Sequence, residues 1–304
     1  MVHYNPQQEW LALAASADIY QILEAHPSGT VHSVFTSSFN LVFGGNLIHV
    51  GGLEMGLAPF GIGLKQTEAA KLTLLVQREQ QVHWNTLSQT LRFTMGISLD
   101  VKPTNMTNHS LPVRGVNFPA LEDNFLYLSE QLLHEDWKTG FGDQKEMIDY
   151  LIDSSTAAEN DVPIITEISK LIQLIRADEA VDAESVFNYW IGRGLGLTPS
   201  GDDCLTGVCA ILSMLEGPKA SYLKKLQSYL LEFGRKRTTD VAFEYLHYAT
   251  EGKFHLSLLN MCAALDQPRG IEFLTALEEM KNIGHTSGVD TLLGMLIGIR
   301  AVKG

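Results

Sequence analysis

Hydrophobic positions change their spacing once along this chain, and the change divides it. Between residues 9 and 26, Leu11, Leu13, Ala14, Ala17, Ile22 and Leu23 fall at roughly helical intervals, and "HPSG" stops the run. The pattern then becomes that of strands. "TVHSVFTSSFNLVFGGNLIHVGG" sets β-branched and aromatic residues on either side of a Gly44-Gly45-Asn46 turn, which predicts a hairpin. Pro59, Gly61 and Gly63 punctuate the next stretch, and "KLTLLVQ" and "TLRFTM" predict further strands. Residues 1–115 are thus expected to form a β-rich barrel or sandwich with one leading helix.

"KPTNMTNHSLPVRGVNFPA" reads as a connector. Beyond it, helical spacing of apolar residues predicts helices near 120–137, 143–153, 165–176, 182–191, 203–216, 218–233, 238–250, 254–265, 269–281 and 289–300. Residues 116–304 are expected to be an α-helical domain, so the fold class is α+β.

Composition narrows the function classes. The net charge of −13 argues against a duplex nucleic-acid binder, which has to neutralise phosphates with Lys and Arg. "MVHYNPQQEW" lacks the basic start and apolar core of a secretory leader, and no apolar run is long enough to span a bilayer. Cys204, Cys209 and Cys262 form no CxxC pair, which fits small core residues in a reducing compartment. The expected location is the cytoplasm.

Candidate chemistry gathers in "GRGLGLTPSGDDCLTG", residues 192–207. Its Ser200-Gly201-Asp202-Asp203-Cys204-Leu205-Thr206-Gly207 shares the pattern S-G-x-D-x-L-x-G with Ser287-Gly288-Val289-Asp290-Thr291-Leu292-Leu293-Gly294. Both lead into apolar helices, and Thr198 and Thr286 stand just upstream. Ser-x-x-Asp is a capping-box variant, and caps alone are one reading of Ser200, Asp203, Ser287 and Asp290. Capping does not account for Asp202, whose place in the second copy is taken by Val289, nor for Gly192, Gly194 and Gly196. Such glycines can turn their amides inward, and a helix start adds positive charge, so Gly194, Gly196, Thr198, Ser200 and Gly201 form a candidate anion cradle.

Two carboxylates beside a bound anion require a cation, either Mg²⁺ with a phosphate or a nearby arginine. In "GRKRTT", Arg235 and Lys236 suit a helix C-terminus, while Arg237 and Thr238 stand at a new helix start and are the better anion candidates. His285, between Gly284 and Thr286, is the one histidine placed near the second copy, and with Thr286 and Ser287 it joins the candidate set. No HExxH, G-x-S-x-G or dinucleotide-binding pattern occurs, and nothing asks for an organic cofactor.

"GLGLTPSGDDCLTG", "KRTTDVAFEYLHYATEGKF" and "GHTSGVDTLLGMLIGI", behind "HSVFTSSFNLVF", resemble a bacterial family that includes the AllH-type subunit of oxamate carbamoyltransferase from anaerobic allantoin catabolism. The resemblance implies one member of a multi-subunit enzyme that interconverts oxalurate plus phosphate with oxamate plus carbamoyl phosphate. Its partners would be the other subunits and these small anions. Within that frame Asp202 and Arg237 are the expected catalytic residues, facing the anion pocket with the Gly194–Gly196 loop, while Asp203 supports the cap. Two alternatives remain. One is a stand-alone Mg²⁺-dependent phosphoryl-transfer or hydrolytic enzyme using Asp202, Asp203 and Asp290; the other is a non-catalytic scaffold or effector-binding subunit.

Overall fold

A computed structural model describes residues 8–102, 105–134, 137–154, 162–177, 179–215 and 220–303. Residues 1–7, most of the stretch read above as lacking a leader, lie outside the described residues, as do Pro103 and Thr104 of the connector. So do parts of the helices expected at 120–137, 203–216 and 218–233. Contacts divide the chain into two units, Met1–His109 and Ser110–Gly304.

The first unit is one ten-stranded mixed sheet with two helices. Its elements are β1 (Gln8–Leu11), β2 (Ala14–Ser16), α1 (Ile19–Ala25), β3 (Ser28–Val34), β4 (Phe39–Phe43), β5 (Asn46–Gly52), β6 (Gly61–Leu64), α2 (Gln66–Thr73), β7 (Gln81–Asn85), β8 (Thr90–Phe93), β9 (Ile97–Asp100) and β10 (Asn105–Thr107). Strand order is β1-β9-β8-β7-β3-β4-β5-β6-β2-β10. Only Ala12 and Leu13 separate β1 from β2, yet the two strands pair at opposite sides of this order. The Ala12 amide donates to Asp100 and that of Leu13 to Gly63, so one short segment draws both sides of the sheet together into a half-barrel. The β4–β5 hairpin turns at Gly44 and Gly45, whose φ values of 56° and 85° are those a two-residue turn of matching twist demands. Val31, Phe39, Leu41, Phe43, Ile48 and Val50 fill the core beside Ile19 and Leu23 of α1.

Two expectations fail here. Residues 9–16 are strands, not the start of a helix. Trp10, Ala12 and Ala14 are buried in strict alternation with exposed Glu9, Leu11 and Leu13. The inward positions are mostly alanine and two outward ones are leucine, so the period-2 signal is hidden. "KLTLLVQ" is the end of α2 and the turn after it, with Ala69 and Leu72 buried and Leu74 pointing to solvent.

The second unit is helical: α3 (Phe118–Leu132), α4 (Gln144–Ile152), α5 (Pro163–Ile175), α6 (Ala183–Trp190), α7 (Ser200–Met214), α8 (Ala220–Tyr229), a π-helical turn (Leu230–Gly234), α9 (Arg235–Arg237), α10 (Asp240–Thr250), α11 (Leu256–Leu265), α12 (Ile271–Lys281) and α13 (Ser287–Lys303). Helix α13 is buried on nearly every side, and α3, α4, α5, α7 and α12 pack around it. Its tightest partner is α7. A Cβ at Gly207 would collide with the Thr291 carbonyl oxygen, and one at Gly294 with that of Cys204. The last glycine of each S-G-x-D-x-L-x-G copy therefore lets the other copy's helix approach backbone to backbone. All three cysteines are free and buried, and no helix among the described residues is long and apolar enough to cross a membrane.

Candidate functional site

The starts of α7 and α13 are held in the same way. A Cβ at Gly201 would strike the carbonyl oxygen of Trp190, the last residue of α6; one at Gly288 would strike that of Met280 near the end of α12. The Gly201 amide donates to Arg193 (2.8 Å) and the Gly288 amide to Ile283 (3.1 Å), so each preceding loop folds back on its helix start. Neither glycine tolerates a side chain.

Capping by Ser200 does not occur. The cap position of α7 is Pro199, which has no side-chain oxygen to offer, and Ser200 is already the first helical residue. The serines and aspartates serve across the motifs instead. Thr198 Oγ1 lies 2.8 Å from Ser287 Oγ. The Ser287 and Thr198 hydroxyls lie against the Asp203 carboxyl, and the Ser200 and Thr286 hydroxyls against that of Asp290. Each aspartate is thus supported by the serine of the other copy.

A third loop completes this cluster. The Gly140 amide donates to Asp290 Oδ1 at 2.9 Å, and a Cβ there would collide with Ser200 Oγ and reach within 3.4 Å of Asp290 Oδ2. Phe141 stands edge-on to Trp190 with ring centres 5.6 Å apart. The segment "KTGFGD" carried no weight in the sequence, although two glycines in a short helix–helix connection hint at a close approach.

The electrostatics of the pair are unusual. Asp290 is fully buried, and Oδ2 of both Asp203 and Asp290 is sealed from solvent without a hydrogen-bond partner among the described residues. Burial pushes the Asp203 carboxyl well above the usual carboxylate range. The Ser287 hydroxyl draws it back, and the charges of Asp290 and Asp202 push it further up. Burial also raises Asp290, against the opposing bonds from Gly140, Ser200 and Thr286. Two such neighbours do not both ionise easily.

Asp202 has a different place from the one expected. It is buried, its Oδ1 accepts from the Gly192 amide at 3.0 Å, and its Oδ2 accepts from the Thr238 hydroxyl. Burial lifts its pKa to about 6 even against these two bonds. With both oxygens engaged, Asp202 ties the glycine loop to the start of α10 and does not face an open pocket. The cause is register: with Pro199 as cap, Asp202 is the third helical residue and Asp203 the fourth, about 100° further round.

The Arg237 guanidinium donates to the Asn188 carbonyl on α6, and Thr239 caps α10 by accepting from the Ala242 amide at 3.1 Å. Arg235 pairs with buried Glu244 at 3.4 Å. His285 is exposed in the turn before α13, beside Thr286. Gly194 and Gly196 lie in an exposed loop at φ values of 118° and 96°. Nothing among the described residues accepts a hydrogen bond from the amides of Gly194, Gly196, Thr198 or Ser200. No group of three or more His, Cys, Asp or Glu among the described residues is arranged to hold a metal ion.

Comparison with known families covers both units. Residues 190–299 match the model described as oxamate carbamoyltransferase subunit AllH, a span containing both S-G-x-D copies and the glycine loop. Residues 11–106 match the AllH family N-terminal domain, which takes in most of the sheet. No solved structure matches the chain. With most of its length accounted for by these two models, the chain belongs to the family of the oxamate carbamoyltransferase subunit AllH.

Proposed function

We propose that the chain acts, with companion subunits in the cytoplasm, in the interconversion of oxalurate plus phosphate with oxamate plus carbamoyl phosphate during allantoin breakdown. The observation that supports a catalytic part for it is the crossed pairing of Asp203 and Asp290, with one unpartnered oxygen each. In the direction of oxalurate synthesis, the oxamate nitrogen forms a bond to the carbamoyl carbon. The bond from that carbon to the phosphate oxygen breaks, and the nitrogen loses a proton. A carboxyl pair holding one proton suits that step in both directions, one member accepting and the other donating.

The substrates are small anions. Their charge is matched by the converging N-termini of α7 and α13 and by the free amides of Gly194, Gly196, Thr198 and Ser200. Asp202 and Thr238 are positioning residues, fixing Gly192 and so the loop that carries these amides. In the assembled enzyme, assayed with oxamate and carbamoyl phosphate, Asp203→Asn and Asp290→Asn should each lower kcat by about 100-fold or more. The folded state should remain intact by circular dichroism. Turnover within a few-fold of the unsubstituted enzyme in both variants would remove the pair from the chemistry.

A further inference from the structure

The loop Gly192–Leu197 presents its two leucines to solvent. Leu195 is 94% exposed and Leu197 52%. The loop is fastened at both ends. The Gly192 amide is held by Asp202, the Arg193 carbonyl accepts from Gly201, and the Leu197 carbonyl accepts from the Thr239 hydroxyl. Gly192 and Gly194 have φ values of 78° and 118°, with the Arg237 carbonyl oxygen and the Ser200 amide nitrogen where their side chains would be. A loop held at both ends thus displays apolar side chains at the edge of the carboxyl site. Nothing among the described residues covers them.

Their surroundings are basic in a chain of net charge −13. Arg193 is exposed and stacks on the Tyr189 ring at 4.3 Å. Arg235–Arg237 lies directly against Gly192 through the Arg237 carbonyl, and all three side chains are exposed, Arg235 beside Asp240 and Glu244 and Arg237 on the Asn188 carbonyl. Exposed leucines rimmed by arginines have the composition of an interface centre with a charged edge.

We infer that this loop is the docking point for a companion subunit of the enzyme, one that offers an apolar pocket edged with carboxylates. A second copy of this chain fits poorly. A two-fold contact on the patch would set Arg193 and Arg237 of one copy against the same residues of the other. Docking of a companion subunit would cover the loop. The inference rests on the chain's place in a multi-subunit enzyme, but not on the role of Asp203 and Asp290.

The test is affinity for the co-purified companion subunits, measured apart from turnover. Leu195→Asp should weaken binding by about 30-fold or more, the loss expected of an interface anchor, with the circular dichroism spectrum and Tm of the free chain unchanged. Leu87→Asp serves as the control, at a residue 97% exposed in the first unit, and should alter affinity less than about two-fold. Arg193→Glu should also weaken binding and flatten its salt dependence. Asp203→Asn should assemble normally, so that loss of chemistry and loss of docking stay separable. Assembly of Leu195→Asp at full strength would overturn the inference. So would equal damage from Leu87→Asp, or a homodimer of the free chain that Leu195→Asp dissolves.

Discussion

Two clusters of polar groups, one in each unit, are buried to opposite effect. In the sheet, Ser33, Asn40 and His49 stand side by side on three neighbouring strands and bond to one another: His49 Nδ1 to Asn40 Oδ1 at 2.9 Å, and Asn40 Nδ2 to Ser33 Oγ at 3.1 Å. His32 extends the row through Ser33. In the helical unit, Asp203 and Asp290 are brought together by two helix starts and three loops, and each still keeps an oxygen without a partner among the described residues. A closed row of hydrogen bonds fixes register and needs nothing further. An open pair costs stability, and such a cost is typically retained where chemistry uses it.

The sharpest way to break this contrast is at the glycines. Gly294→Ala puts a methyl into the Cys204 carbonyl between two buried helices, and should cost about 3 kcal/mol or more in denaturant unfolding. In the sheet, Gly45→Ala has open space and pays only for its φ of 85°, about 1 kcal/mol. Equal costs would mean that the close approach of α7 and α13 is not what holds the site. Gly140→Ala comes next: by displacing the Ser200 hydroxyl it should lower kcat by about ten-fold while leaving binding of companion subunits intact.

The smallest effects lie in pH dependence, and the two units should differ in sign. Burial lowers the His49 pKa to about 4. The unfolded chain then binds more protons between about pH 4 and 6.5, so this residue's contribution is full above that window and is lost as pH falls through it. Asp202 does the reverse. With its pKa raised to about 6, the folded state binds more protons between about pH 4 and 6, and stability declines as pH rises through that window. Unfolding curves of His49→Asn and Asp202→Asn between pH 4 and 8 should each flatten their own slope. The same slope from both would erase the distinction.

Much of this architecture was legible from periodicity. The Gly44-Gly45 hairpin and the helices beyond residue 116 follow from apolar spacing, and the S-G-x-D repeat pointed to two related helix starts. What stayed hidden depends on distant contacts. Alanines facing inward at 12 and 14 disguised strands as a helix. Pro199 at the cap moved every following side chain by one position, exchanging the places expected of Asp202 and Asp203. Arg237 lies near the loop in space, and only the fold shows that its guanidinium is engaged by the Asn188 carbonyl at the end of α6. Gly140 is remote in sequence from both motifs, and only the packing of three loops reveals why it lacks a side chain.

The carboxyl pair is tested most directly by following the Asp203 and Asp290 side-chain carboxyl carbons by NMR as pH is varied, in the intact chain and in each Asn variant. The account predicts that both titrate above the ordinary carboxylate range, and that Asp290→Asn lowers the midpoint of Asp203 by removing a neighbouring negative charge. Two independent titrations near the unperturbed value, indifferent to the partner's substitution, would contradict it.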